Sequence, residues 1–372
     1  MCCLGAMLRR FLNIFLIAYY ILLPIALVAI MGYLLISVMP PSKVRIEAGP
    51  RTGFFANSAE VIAQELWAFG IDTQIEYVDD TTKIIDRVNA GDADIGFVAQ
   101  SLAHTRTDHV FSLGAIAIEP MWFFAKAESG INHIAQLKGK TIAVGPQGSG
   151  ARILGTQILN LYGITSQNSE FLPLRVRDRA IAINEGGVDA SLFLFPETTP
   201  LIQALSKNPR LTLIDIPEAD ALSRMLPNLQ KVTIPRGAFA FMPPSPSQQT
   251  DSVAIPVSIV MNSDAGSSLG VLVADILKRK FSARTLFTDD NELPAFYYRQ
   301  LEPLRDAENI YTQGRPFLSD IFGVKYGLIL THAAGPFLFV AALVVILLST
   351  LSTFLRFPLN ILDVVGFLKR RG

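Results

Sequence analysis

Cysteine is almost missing from this chain: Cys2 and Cys3 are the only two in 372 residues. Both precede an apolar run instead of following it, so they do not form a lipoprotein cleavage site. Everything downstream must fold without a disulfide or a cysteine-ligated metal. A surplus of either charge is missing too. Lys and Arg total 32, Asp and Glu total 32, and the formal net charge is zero. A nucleic-acid partner, which wants a basic surplus or stripe, is not indicated. Catalytic signatures are also lacking. There is no H-E-x-x-H and no cysteine nucleophile beyond Cys2 and Cys3, and His104, His109 and His133 have no metal-ligand spacing. The chain reads as a non-enzyme with no cofactor.

Charge is locally absent in two further places. Residues 11–39 contain no Asp, Glu, Lys or Arg, and 327–355 contain none either, with His332 the one titratable side chain. These runs raise the mean hydropathy to +0.38. A helix of about 20 apolar residues spans a bilayer, so each run is long enough. Arg9 and Arg10 precede the first; Arg356, Lys369, Arg370 and Arg371 follow the second. Positive flanks stay cytoplasmic, which puts both termini and the tail 356–372 inside and the main domain outside. A cleaved signal peptide is the rival for the first run. The stretch before Pro40 is too long for that and offers only Ile36-Ser37-Val38 as a cleavage site. The expected location is a bacterial plasma membrane, with the lipid bilayer as a partner.

What remains between the runs carries a repeat. Ile46-Glu-Ala-Gly49-Pro50 is answered by Ile142-Ala-Val-Gly145-Pro146, and Asn89-x-Gly91-x-x-Asp94 by Asn184-x-Gly186-x-x-Asp189. Each half reads as strand, Gly-Pro loop and helix, then helix, Gly stop and strand. Two similar α/β lobes, each aiming a loop and a helix N-terminus at a shared cleft, would hold a small anion. The competing reading is common strand and helix-end punctuation.

Strand signals fall on Lys43–Ala48, 75–78, Ile95–Ala99, 115–125, 141–144, 188–195 and 253–261. Helix signals run from Asn57 or Ser58 to Gly70, then over 82–90, 153–161 and 269–278. Alternation of the two means an α/β fold with mostly parallel sheets. The boundaries read as lobe 1 over 43–125, lobe 2 over 126–235 and a return to lobe 1 with an extension over 236–320. The chain crosses outward near Trp122–Lys126 and back near Lys231–Phe239.

Gly145-Pro-Gln-Gly-Ser-Gly-Ala-Arg152 is the sharpest local motif. Its glycines bring backbone N–H groups close to a ligand, and Ser149 caps the next helix or donates to the ligand. It has no Walker lysine, so a nucleotide is not indicated, and an ordinary strand-to-helix turn is the alternative. Arg51 in the matching loop either grips a carboxylate or is an exposed loop arginine. Phe54, Phe55, Trp122, Phe123 and Phe195 wall a cleft or fill core. Gln100 ends a strand toward the cleft. Glu119 interrupts an apolar run and is either a cleft residue or a structural acceptor. Arg175-Val-Arg-Asp-Arg179 reads as a solvated helix face, and Asp79-Asp80 as a solvated turn.

In order and spacing the segments resemble the TAXI family of TRAP-transporter solute receptors, over roughly residues 43–320. The segments are Ala48-Gly49-Pro-Arg-Thr-Gly53-Phe-Phe55, Asn89-Ala-Gly-Asp-Ala-Asp-Ile-Gly-Phe97, Ile118-Glu-Pro120, Ala127-Glu-Ser-Gly-Ile131, Leu137-Lys-Gly-Lys140, Val144-Gly-Pro-Gln-Gly-Ser-Gly150, Val188-Asp-Ala190, Ile234-Pro-Arg-Gly237 and Tyr311-Thr-Gln-Gly-Arg-Pro-Phe-Leu318. The resemblance implies a two-lobe periplasmic-binding-protein type II fold, closing on its ligand, here flanked by two transmembrane helices. It implies a small-molecule carboxylate ligand, glutamate-like or a dicarboxylate, handed to a TRAP-type membrane permease driven by an ion gradient. By the same resemblance the ligand loops are Gly49, Arg51, Thr52, Gly53 and Phe55, and Gln147, Gly148, Ser149 and Gly150, with Phe195 and Pro196 closing the far wall. Pro50, Arg51 and Phe55 depart from the family's glycine-richer, tyrosine-ended loop, losing a hydroxyl and gaining a cation. A ligand sensor signalling through its spans to a cytoplasmic partner is the alternative function.

Overall fold

Alternating burial along Lys43–Ala48 makes the first strand, β1, and the rest of the sheet is built around it. The computed structural model describes residues 39–323 apart from 52, 79, 100–106, 227 and 298–300, together with helical positions scattered through 22–36 and 325–349. Pro40–Arg315 is one unit; Met1–Met39 with Pro316–Gly372 is another.

In the first unit β1 is followed by α1 (Phe54–Ala68), β2 (Asp72–Tyr77), α2 (Ile84–Asn89), β3 (Ile95–Ala99) and the long β4 (Val110–Lys126). Then come β5 (Thr141–Ala143), α3 (Gly150–Leu161), β6 (Glu170–Leu172), α4 (Val176–Glu185), β7 (Ala190–Leu194), α5 (Pro200–Lys207), β8 (Leu211–Leu213), α6 (Ala219–Met225) and β9 (Gln230–Ile234). A small hairpin, β10 (Ala240–Phe241) and β11 (Pro244–Ser245), precedes the second long strand, β12 (Thr250–Asn262). The unit ends with α7 (Ser267–Lys280), β13 (Glu302–Pro303) and α8 (Arg305–Gln313); α9 (Leu318–Phe322) belongs to the other unit.

The strand order is β2-β1-β3-β12-β4-β7-β5-β6. β1 pairs in parallel with β2 and β3, and β5 in parallel with β6 and β7. These are two lobes of the same plan, sharing the two long strands. β4 pairs with β12 as far as Pro120 and with β7 from Met121 onward. β12 pairs with β9 over Thr250–Ala254 and with β3 over Val257–Met261. Two antiparallel strands that cross between two α/β lobes, with β12 inserted beside β3, are the periplasmic-binding-protein type II arrangement. The partner change thus falls at Pro120/Met121 on the way out and at Ala254–Val257 on the way back, not at 122–126 and 231–239. Hydropathy could not mark these points, because both strands stay buried on both faces throughout. Pro120 and Pro256 lie in these segments, where each removes a ladder donor.

The repeated motif has one structural job in both lobes. The Asp94 amide donates to the Arg45 carbonyl, 2.9 Å, and the Arg45 amide donates back to the Asp94 carboxylate, 2.7 Å. In lobe 2 the Asp189 amide donates to the Thr141 carbonyl, 2.9 Å, and the Thr141 amide to the Asp189 carboxylate, also 2.9 Å. Each aspartate therefore ties the strand after a helix to the start of the lobe's first strand. Gly91 and Gly186, with φ of 77° and 86°, make the turns that deliver it.

Most residues of the expected spans 11–39 and 327–355 lie outside the described residues. Those described are helical, among them 25–30 and 342–346. Ile25, Val28, Tyr33, Leu338, Phe339 and Val345 are exposed there. Among the described residues no helix is long and apolar enough to cross a membrane.

Candidate functional site between the two lobes

α1 starts four residues earlier than the expected Asn57 cap. Gly53 is its N-cap in extended conformation, held by a turn in which the Gly53 amide donates to the Pro50 carbonyl, 2.8 Å. No side chain caps α1 and no acid sits in its first turn, so its free N–H groups leave a positive end. Opposite it, in lobe 2, α3 begins at Gly150 behind the N-cap Ser149. The Ser149 hydroxyl donates to the Pro146 carbonyl, 2.8 Å, and accepts from the Arg152 amide, 3.3 Å. Arg152 braces the same loop by donating to the Gly145 carbonyl, 3.2 Å.

Between these helix starts lies a cavity of about 80 Å³. Gly53, Phe55, Glu119, Ser149, Gly150 and Phe195 line it, with Phe54 beside Phe55. Arg51 lines an adjoining outer space of about 420 Å³, with Ser149, Arg175, Arg177 and Arg179. No carboxylate is among the described residues lining that outer space, so it forms a cationic mouth. Arg51 lies 4.2 Å from the Tyr77 ring centre, held by cation–π attraction.

Other expected site residues sit elsewhere. Gly49 backs onto the Phe55 ring and Thr81 rather than the cavity. Gln147 is exposed and Pro196 buried, and neither lines the cavity. Gly148 turns its tip to lobe 1: a Cβ there would meet the Asp80 carboxylate. That carboxylate, read from sequence as a solvated turn, instead accepts from the Thr82 amide, 3.1 Å, and faces the loop that was expected to cradle an anion. Gly148, at φ 79°, is required both for the turn and for this close approach. Thr52 and Gln100 lie outside the described residues. Trp122 and Phe123 are fully buried core; the Trp122 indole N–H donates to the Phe195 carbonyl, 2.8 Å, and so fixes that residue's place. The lobes touch above the cavity, where the Phe195 ring comes within 3.9 Å of the position a Gly53 Cβ would take.

Two charged groups are sealed into this wall. Arg179, on α4, is 2% exposed. Its Nη1 donates to the Leu192 carbonyl and its guanidinium lies 4.9 Å from the Phe193 ring centre, but its Nε has no acceptor among the described residues. Burial pulls its pKa down to about 10, so it stays charged at neutral pH. No carboxylate among the described residues neutralises it. The charged run 175–179 suggests a solvated face in the sequence. The signal was the spacing: Val176, Arg179 and Ile183 share one stripe of α4, whereas Arg175, Arg177 and Asp178 do not. Glu119, on β4 just before the partner change, is 3% exposed. No described residue donates to its carboxyl, and burial raises its pKa well above 4.5. A buried cation without a counter-ion among the described residues, lining one cavity with Glu119 under two helix N-termini, can bind a small organic anion.

Comparison with known proteins gives a family model and several solved structures. A model described as the NMT1-like family matches residues 59–278. Solved structures are similar at low identity. PhnD1 from Prochlorococcus marinus, in complex with methylphosphonate, is 12% identical over 63% of this chain and 84% of its own, with a TM-score of 0.44. The alkanesulfonate-binding protein SsuA from Xanthomonas axonopodis pv. citri, bound to MOPS, is 15% identical over 79% of this chain and 84% of its own, with a TM-score of 0.40. The periplasmic aliphatic sulphonate binding protein SsuA from Escherichia coli is 15% identical over 64% of this chain and 72% of its own, with a TM-score of 0.39.

Proposed function

The chain belongs to the NMT1-like family, and from that premise we propose that it is a membrane-anchored extracytoplasmic solute-binding protein. It captures a small organic acid between its lobes and hands it to a TRAP-type secondary permease. The reading is of a receptor, not an enzyme. One observation carries it: Arg179, a buried guanidinium with no counter-ion among the described residues, opens on an interlobe cavity. Folding leaves such a charge unpaired only at a cost, which a bound anion offsets. Arg51, Gly53, Phe55, Glu119, Ser149, Gly150 and Phe195 are the other ligand-facing residues of this reading.

The TRAP partner and the TAXI subgroup rest on the order of the sequence segments. The anchors rest on two charge-free runs with cationic flanks and on the exposed apolar side chains of their described helical residues. A double tether holds the cleft near the membrane and raises its effective concentration at a neighbouring permease.

The test uses the full-length protein in lipid nanodiscs. Its thermal stability is measured against amino acids, dicarboxylates, keto acids, aliphatic acids and aromatic acids. A ligand at 100 times its Kd raises stability by about 2.7 kcal/mol. No shift with any acid sinks the receptor reading. For the permease, uptake into proteoliposomes under an ion gradient without ATP is the readout, and a requirement for ATP sinks the TRAP assignment.

A further inference from the structure

The inner cavity narrows the choice of ligand beyond "organic acid", and the inference rests on the receptor reading above. A water-sized occupant needs roughly 10–15 Å³ of such space, so about 80 Å³ takes on the order of five to eight non-hydrogen atoms. Its walls are apolar from both lobes: Phe54, Phe55 and Ala99 from lobe 1, Ala151, Leu194 and Phe195 from lobe 2. Arg179 is the one cation that lines it among the described residues, and the outer arginines line only the mouth beyond.

We propose that the cavity holds a small apolar monocarboxylate: its carboxylate sits on Arg179 toward the mouth and its hydrocarbon body lies inward against Phe54, Phe55 and Phe195. The balance of charge selects this class over glutamate or a dicarboxylate. A second carboxylate carried inward would find no cation, and it would sit beside Glu119, itself 3% exposed and undonated among the described residues. An unpaired ionised group in an apolar wall is the costliest occupant a site can take. A second carboxylate held outward at Arg51 or Arg177 would be paired, but would leave the apolar chamber unfilled. An ammonium group would need Glu119 ionised, which its desolvation opposes.

Isocaproate, succinate and leucine separate these cases. Isocaproate and succinate have equal numbers of non-hydrogen atoms, and leucine is isocaproate with an ammonium added. Calorimetric titration of the full-length protein in nanodiscs is expected to give isocaproate a Kd at least about tenfold below both others. Arg179→Met is expected to weaken isocaproate about a hundredfold or more. Ala151→Leu, which fills the chamber and leaves the cation in place, is expected to weaken isocaproate while sparing acetate; this arm stands even if Arg179→Met does not fold. Succinate or glutamate binding more tightly than isocaproate overturns the monocarboxylate and keeps the receptor. Leucine binding more tightly overturns it as well and assigns Glu119 to the ammonium. Binding of none of these acids by folded protein overturns the inference, and the receptor reading then stands or falls on the wider acid panel.

Discussion

At the scale of single residues, Glu119 and Arg179 show what burial does to charge. Glu119 has its pKa raised by desolvation alone, with no described donor to offset it. The unfolded chain loses this proton near 4.5, and the folded chain loses it at a higher pH. The unfolded state therefore binds fewer protons above that pH, and stability falls as pH rises toward the folded pKa, by about 1.4 kcal/mol per unit for one proton. Glu119→Gln removes the term. Thermal melts of the two proteins should converge near pH 4.5 and diverge with rising pH, with the variant the more stable. Parallel melting curves between that pH and about 8 would mean that Glu119 is not desolvated, and the argument from neutrality would go with it. Glu119 was legible in the sequence as a carboxyl interrupting an apolar run. Arg179 was not, because it was judged with its charged neighbours instead of by its place on the helix stripe.

At the scale of elements, most strands and helices could be read from hydrophobic period and glycine stops. β3 was expected and observed at Ile95–Ala99, and the helix signal at 269–278 became α7, Ser267–Lys280. What could not be read was set by contacts distant in sequence. The start of α1 moved forward because Gly53 is fixed by the Pro50 carbonyl and packed under Phe195. The tip of the second glycine loop is set by Asp80 from the other lobe. The repeat, by contrast, was visible as spacing, and its cause is the aspartate bridge to the first strand of each lobe. Asp94→Ala and Asp189→Ala should each cost about 1–3 kcal/mol, since each strands a strand-end amide that had a charged acceptor. Chemical denaturation measures the loss. Both variants should keep their ligand affinity, because neither aspartate lines the cavity. A cost in one lobe and none in the other would make the repeat a coincidence of punctuation and not a shared device.

At the scale of the whole molecule, two crossing strands join the lobes, and the proposed anchors set where the cleft lies. Asp275 on α7, almost fully buried, takes Arg279 at 2.9 Å and Arg315 at 2.6 Å. Arg315 is the last residue of the lobed unit, so the point at which the chain leaves that unit is fixed by charge rather than left to a loose linker. Beyond it, as before Pro40, the sequence turns apolar and then basic. On the proposed anchoring, two spans with cationic outer flanks bring both termini to one side, because each additional span reverses the side on which the chain emerges. Tags at residue 1 and residue 372 should therefore be digested together by protease added to inside-out vesicles, with the lobed unit protected. In spheroplasts the same protease should spare both tags and reach only the lobed unit. Tags on opposite sides would leave a single span, and loss of the N-terminal tag during export would make the first run a cleaved signal. In either case the cleft would hang from one anchor, and the gain in effective concentration at a permease would depend on that tether alone.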